Sequence, residues 1–280
     1  LKNFVFTIAR MCGTLMTMTV KVSNHSIDNL FWQNWHISRP DRLNAIGTTV
    51  ARELTETMEM TRKSLEPHIR AIVITAETVI KSNNAIWIAG GDLSELGELH
   101  EKTQGRDYAR TMRCFCEGLE TLPVPVITVV DGAAIGGGAE LALAGDIRFA
   151  TVRSIFEFKQ LKMGLATGYG SASRLVELLG KSKAQSLLYF SESMDAEAAH
   201  RDGLVHRLIS SASHEDISKA IFPVIQLEPS AVSAQKKMLR LAAAQPSANH
   251  SWADEIFESI WMNDTHSENL AAFKTRSGTP

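Results

Sequence analysis

PVITVVDGAAIGGGAELALAGDIRFA, Pro125 to Ala150, is the stretch around which the chain is organised. Val126 to Val130 is a short apolar run with the length of a buried strand, and Asp131-Gly132 ends it. Gly136, Gly137 and Gly138 then open a segment rich in helix formers, Ala139, Leu141, Ala142, Leu143 and Ala144. A further strand follows from Asp146 to Ala150. A strand, a glycine loop and a helix start present unpaired backbone N–H groups, backed by the helix dipole, to something negative. Glycine lets a ligand approach because it has no Cβ. Glu140 stands three residues after Gly137, near the same face of the first turn. An anion-stabilising N–H beside a carboxylate is the raw material of an acid/base site.

Alone, such a loop is weak evidence, since most glycine-rich strand-to-helix turns serve packing. The spacing excludes two nucleotide-binding motifs. Leu141 stands where G-x-G-x-x-G needs its last glycine, and Leu175 stands where a P-loop ending at Gly180-Lys181-Ser182 needs its first. No G-x-S-x-G or H-E-x-x-H occurs, which argues against serine and zinc hydrolases.

The 280 residues are 44% hydrophobic and 21% charged, which suits one large globular domain or one domain with a helical appendage. Lys and Arg total 29 against 31 Asp and Glu, so no broad nucleic-acid or polybasic membrane surface is expected. Three cysteines, two of them in Cys114-Phe115-Cys116, make neither a disulfide framework nor a usual zinc spacing. They fit a reducing compartment, and a cytoplasmic protein without bound metal is expected. Residues 1–16 carry a patchy apolar run broken by Arg10 and read as a disordered or non-native extension.

Along the chain, Thr17–Ser23 and Asn29–Ile37 read as paired strands. Arg39-Pro40-Asp41-Arg42 is a turn whose arginines suit a phosphate or solvent equally, and Asn44 is placed to cap a helix over 46–64. Ala71–Thr75 and Ala85–Ile88 are strands. The second runs into Ala89-Gly90-Gly91-Asp92, with Asp92 suited to a helix start. This is a second strand–glycine–helix junction, and two such junctions can aim two N–H groups at one atom. Residues 93–121 read as helix with a break near Gly105, and Lys159–Gly170 as a loop. Helices are expected at 171–179, 184–190, 214–226, 230–244, 251–262 and 266–276, with a last strand over Leu204–Ile209. The boundaries are therefore an α/β core over 17–212 and a helical region over 213–280.

RPDRLNA, IAGGDL, the Pro125–Ala150 stretch, KMG with its glycine-rich loop, DAEAAHRDGLVHRLI and SENLAAFKTR occur in this order. Together they resemble the enoyl-CoA hydratase/isomerase, or crotonase, superfamily, over roughly residues 17–276. The resemblance implies an α/β spiral of ββα units with a C-terminal helical trimerisation region, assembled as a trimer or a dimer of trimers. It also implies an acyl-CoA thioester substrate with no permanently bound cofactor, coenzyme A entering only as part of that substrate. Gly91 and Gly137 would supply the two N–H groups that hold the thioester oxygen. Arg42, Ala45, Ala89 and Asp92 fall in the motifs that would meet the substrate. Phe273 and Arg276 fall where a neighbouring subunit's tail closes on the nucleotide. Tyr169, in the loop after KMG, would either reach the acyl pocket or pack as an ordinary aromatic.

Glu140 matches the first of the two carboxylates that hydratases use. The second belongs to a pattern like F-x-x-P-E-x-K-x-G, but this chain reads Phe156-Glu157-Phe158-Lys159-Gln160-Leu161-Lys162-Met163-Gly164. Gln160 therefore takes the second-acid position. It can orient water but cannot exchange a proton as a carboxylic acid does. Glu157 is turned away by strand alternation. The expected function is that of a lyase or isomerase working through a thioester enolate with Glu140 as acid/base. An acyl-CoA decarboxylase and a catalytically weak acyl-CoA-binding member are the alternatives.

Overall fold

A computed structural model describes residues 18–244 and 251–260, together with 265 and 268. The expected extension over 1–16 lies outside them, as do Trp261, Leu270, Phe273, Arg276 and most of the expected helix 266–276. Two compact units divide after Ile225.

The first unit begins with a hairpin of β1 (Val20–Ile27) and β2 (Leu30–Ile37). Asp28 and Asn29 turn it at φ 50° and 62°, a left-handed pair whose twist matches that of the flanking strands. Next come α1 (Thr48–Ser64), β3 (Ile69–Ala76), β4 (Val79–Lys81), β5 (Asn84–Ile88), α2 (Leu93–Leu96) and α3 (Lys102–Leu119). Then follow β6 (Val126–Val130), β7 (Ala133–Ile135), α4 (Gly137–Ala142), β8 (Ile147–Ala150), β9 (Ile155–Glu157) and α5 (Ser171–Tyr189). The unit closes with β10 (Ser193–Asp195), α6 (Ala196–Arg201), β11 (Arg207–Leu208) and α7 (His214–Ile225).

The strands form a six-stranded sheet, β1-β2-β3-β6-β8-β11, and a five-stranded sheet, β10-β9-β7-β5-β4. Three times in succession the chain lays a strand in the larger sheet, passes to the smaller, and then runs into a helix or helical turn: β3 then the β4–β5 hairpin, β6 then β7, β8 then β9. This is the repeated ββα unit. The apolar runs of β3 and β6 are continuous because both faces of the larger sheet are covered. Ile72, Ile74, Val126 and Val130 join one core with Trp35, while Ala71, Val73, Ile127 and Val129 join another with Trp32. On the first face lie Val50, Leu54 and Met58 of α1 and Met112, Phe115, Cys116 and Leu119 of α3. On the second lie Ile217, Ala220, Ile221 and Ile225 of α7, at helical spacing. The second unit contains α8 (Pro229–Ala244) and α9 (Ser251–Ile260), which pack on each other. No described helix is long and apolar enough to cross a membrane.

Three local expectations need correction. Asn44 does not cap α1. It sits in the left-handed region at φ 56°, and its amide donates to the carbonyls of Glu77 and Trp87 at 2.6 and 2.8 Å, so the helix starts later, after Gly47. Gly105 does not break a helix. It lies inside α3, and the interruption falls at 97–101, where Glu101 and Gln104 form a capping box. The two helices expected at 171–179 and 184–190 are both present, within Ser171–Tyr189, and meet at Gly180, whose φ of 74° and ψ of 160° are not helical. Between Gly132 and Gly136 the chain forms β7 in the smaller sheet, so α4 follows β7 rather than β6.

Candidate active site

Three parallel strands of the smaller sheet, β5, β7 and β9, are neighbours and end at the same edge. Each is followed by a segment singled out from the sequence: Gly90-Gly91 after β5, Gly136-Gly137 after β7, Lys159-Gln160 after β9. The two glycine junctions touch. Gly90 has φ +100°, and a Cβ there would lie 2.8 Å from the Ile135 carbonyl oxygen and 3.6 Å from the Gly137 nitrogen. Gly137 begins α4, and Gly91 pairs with Ile46 in a bridge that uses the neighbouring Gly90 carbonyl and Asp92 N–H. Among the described residues the N–H groups of Gly91 and Gly137 have no acceptor.

Glu140 lies in the first turn of α4, only 2% exposed. Its Oε1 accepts from Gln160 Nε2 at 2.8 Å and from the Gly168 N–H at 3.2 Å. Its Oε2 accepts from the Tyr169 N–H and the Ser171 hydroxyl, both at 2.8 Å. A carboxylate has about four acceptor sites, so every one is engaged. Gln160 is thus brought to Glu140 as expected, and its Oε1 is buried without a partner. Glu157 points elsewhere, to Lys159 Nζ at 2.9 Å and to the Ser193 hydroxyl.

The Tyr169 side chain, 4% exposed, lies against the glycine junction, and a Cβ on Gly137 would fall 2.9 Å from both its Cε2 and its hydroxyl. That hydroxyl is hydrogen-bonded to the hydroxyl of Tyr108, which donates to the Ile46 carbonyl at 2.7 Å. Burial pushes the Tyr108 phenol up to about 12 and the Tyr169 phenol well above its ordinary value of 10. Sequence reasoning missed Tyr108 and Ser171. Tyr108 had a signal: with Met112, Phe115, Cys116 and Leu119 it continues the buried stripe of α3 at helical spacing. Ser171 had none, because a serine at a loop end is commonplace.

The remaining expected contacts gather beside the first junction. The Ala89 N–H donates to Leu43, Ile46 to Gly90, and Asp92 to Ile46, at 3.1, 2.7 and 3.1 Å, so segment 43–46 runs alongside 89–92. This draws Arg42, Ala45, Ala89 and Asp92 together. Asp92 caps α2 by accepting from the N–H groups of Ser94 and Glu95 at 3.0 and 3.3 Å. Burial raises its carboxyl pKa, but those two N–H groups and Arg39 outweigh it and hold it below the ordinary range. Arg39 is committed to Asp92 and Glu95, at 2.8 and 3.0 Å. Arg42 bonds Ser94 Oγ at 3.1 Å and stays 49% exposed, so of the two turn arginines it is the one open to a phosphate. Among the described residues, no group of three or more His, Cys, Asp or Glu is placed to hold a metal ion.

Comparison with protein families matches residues 34–278 to enoyl-CoA hydratase/isomerase. Among curated proteins, the chain is 30% identical over 239 residues to "Probable enoyl-CoA hydratase" of Mycobacterium tuberculosis, covering 85% of this chain and 89% of that protein. It is 28% identical over 204 residues to "Short-chain-enoyl-CoA hydratase" of Clostridium acetobutylicum, covering 72% and 75%. Among solved structures, an enoyl-CoA hydratase from Bacillus anthracis superposes with a TM-score of 0.79 at 24% identity, over 92% of this chain and 97% of that one. The crotonase fold expected from the sequence motifs is the fold observed.

Proposed function

The chain belongs to the enoyl-CoA hydratase/isomerase family, and from that premise we propose that it adds water to, or moves the double bond of, an acyl-CoA thioester through an enolate. The observation that carries this reading is the meeting, at one sheet edge, of two glycine junctions with acceptor-free N–H groups beside the Glu140–Gln160 pair. In this reading the Gly91 and Gly137 N–H groups hold the thioester oxygen and stabilise the charge that develops on it, each worth roughly 3 kcal/mol by analogy with other oxyanion donors. Arg42, Ala45, Ala89 and Asp92 line the coenzyme A side. Phe273 and Arg276 would act from a neighbouring subunit of a trimer or dimer of trimers. Glu140 takes the proton of the attacking water. Gln160, held by Glu140 through its amide N–H, offers its unpartnered Oε1 to the water's other hydrogen. To accept from water, Glu140 must release one of its four donors, and either side-chain donor, the Gln160 amide or the Ser171 hydroxyl, can be released with the backbone left in place.

The test is turnover of crotonyl-CoA by three proteins. The native protein should hydrate it. Glu140→Gln should lose about 100-fold or more, the usual scale of a general base. Gln160→Glu should raise hydration, because a second carboxylate beside Glu140 raises the pKa of one of the pair and supplies an acid near neutral pH. Unchanged turnover in Glu140→Gln would refute the assignment.

A second reading is favoured by the full engagement of Glu140: decarboxylation, in which loss of CO2 itself creates the enolate and no base is needed. Release of CO2 from malonyl-CoA that survives Glu140→Gln would select it. Binding of both thioesters without turnover of either would select a member that only binds acyl-CoA.

A further inference from the structure

Gln160 leaves hydration short of one group, since something must give a proton to the α-carbon. Outside Glu140, the buried groups with an exchangeable proton at this edge are few. Cys116 is wholly buried in the core, and burial pushes its thiol up to about 12. The Ser171 hydroxyl is spent on Glu140. The two phenols remain. Building on the hydration reading above, we propose that the Tyr169 hydroxyl, oriented by Tyr108, donates the proton to the α-carbon of the enolate.

The hydrogen-bond directions support this. Tyr108 has one hydroxyl hydrogen and gives it to the Ile46 carbonyl, so in the resting pair Tyr169 donates to the Tyr108 oxygen. Ile46 O also accepts from the Asp92 N–H at 3.1 Å. When the Tyr108 hydrogen swings away, that carbonyl keeps a partner, and no buried acceptor is orphaned. The pair can therefore reverse: Tyr108 turns its hydrogen onto the Tyr169 oxygen, and the Tyr169 hydrogen is freed toward the site. The Tyr169 hydroxyl is next to Gly137, the residue that would hold the thioester oxygen, one bond from the carbon that bears the α-carbon. The raised phenol values keep both protons in place at neutral pH. A phenol is still a far stronger acid than the thioester α-C–H that its proton would form.

The proton balance closes. The water oxygen bonds to the β-carbon as its proton passes to Glu140, and the double-bond electron pair moves onto the thioester oxygen. The enolate then takes the Tyr169 hydroxyl proton on its α-carbon. The phenolate left behind accepts from Tyr108. After product leaves, the proton on Glu140 returns to Tyr169 through solvent, and one H and one OH have been added. Tyr169 is the catalytic residue in this step and Tyr108 a positioning residue.

The test is hydration of crotonyl-CoA in D2O, read by rate and by the configuration of deuterium at the α-carbon. The native protein should add one deuterium with a single configuration. Tyr169→Phe keeps the ring and should lower kcat by about 100-fold or more with KM little changed, while its residual product carries deuterium in both configurations. Tyr108→Phe should lower kcat less, keep the single configuration, and move the alkaline limb of the pH profile, so it tests the proposal even if Tyr169→Phe misfolds. Full turnover with one configuration in Tyr169→Phe would overturn the proposal and leave the Glu140 assignment standing. Absence of hydration in the native protein would overturn both. A Glu140→Gln variant that is inactive beside a fully active Tyr169→Phe separates the two.

Discussion

Replacing Gly137 with alanine probes the glycine loop without touching its N–H. No positive φ is required of Gly137, so the cost of a side chain there is steric. The added methyl would lie 2.9 Å from Cε2 and Oη of Tyr169 and 3.1 Å from its Cζ. The ring cannot step aside freely, being 4% exposed and tied to Tyr108. Overpacking of this kind costs about 1–3 kcal/mol. Against it stands a gain of about 0.5–1 kcal/mol from exchanging glycine for alanine in a helix. In a Tyr169→Ala background the clash is gone and only the gain remains, so the same substitution should become neutral or stabilising. The double-mutant cycle should therefore show a coupling of about 1–3 kcal/mol, measured by urea unfolding at one fixed protein concentration. Each kcal/mol corresponds to about 2–4 °C in Tm for a chain of this size. Additivity of the two substitutions within about 0.5 kcal/mol would refute the packing of Tyr169 on the loop, and with it the place given to its hydroxyl.

Arg148 is 3% exposed and donates through Nε to the Leu204 carbonyl and through Nη1 to the Gly145 carbonyl, both at 2.6 Å. Arg148→Met should cost about 2–6 kcal/mol, since each buried carbonyl left alone costs about 1–3 kcal/mol; a loss in urea unfolding below about 1 kcal/mol would contradict this. Burial holds the imidazoles of His25 and His36 below their ordinary value, and His214 adds to the effect at His25. Below about pH 6.5 the unfolded chain therefore binds protons that the folded chain refuses, and stability present above that pH is lost on acidification. Tm should fall between about pH 7.5 and 5.5, and less steeply in the His25→Gln/His36→Gln double variant; equal slopes would remove these histidines from the account.

The legible parts of the chain were those where one local force dominates. The runs Val126–Val130 and Ala71–Thr75 declare themselves because a sheet covered on both faces admits little but apolar side chains. Both glycine junctions were readable, since only glycine tolerates a carbonyl 2.8 Å from its Cβ position, as at Gly90. What stayed hidden depended on partners distant in sequence. β7 has only three residues and no alternation to announce it, and its partners β5 and β9 define it. Asn44 has the chemistry of a helix cap, but the carbonyls of Glu77 and Trp87 claim its amide first. Glu140 was identifiable by its place in the first turn of α4, whereas its clamp of Gly168, Tyr169 and Ser171 forms only when α5 docks. The tyrosine pair joins residues 61 positions apart, and nothing local in either segment points to the other.

The contact between Gly90 and the Ile135 carbonyl has a consequence for how this scaffold can change. It fixes the spacing of the two junctions through main chain alone, and the parallel pairing of β5 with β7 supports it from behind. The side chains proposed to move protons come from four places: Glu140 from the first turn of α4, which Gly137 begins, Gln160 from the turn after β9, Tyr169 from just before α5, and Tyr108 from α3. In the proposed mechanism, electrostatic stabilisation thus rests on main chain and proton supply on side chains. In that mechanism a mutation at 108, 140 or 160 would change which proton moves while keeping the glycine main chain, whereas one at 169 would also touch the packing on Gly137. Divergence toward a new reaction would then proceed one side chain at a time, with the main-chain spacing of the two junctions kept at every intermediate.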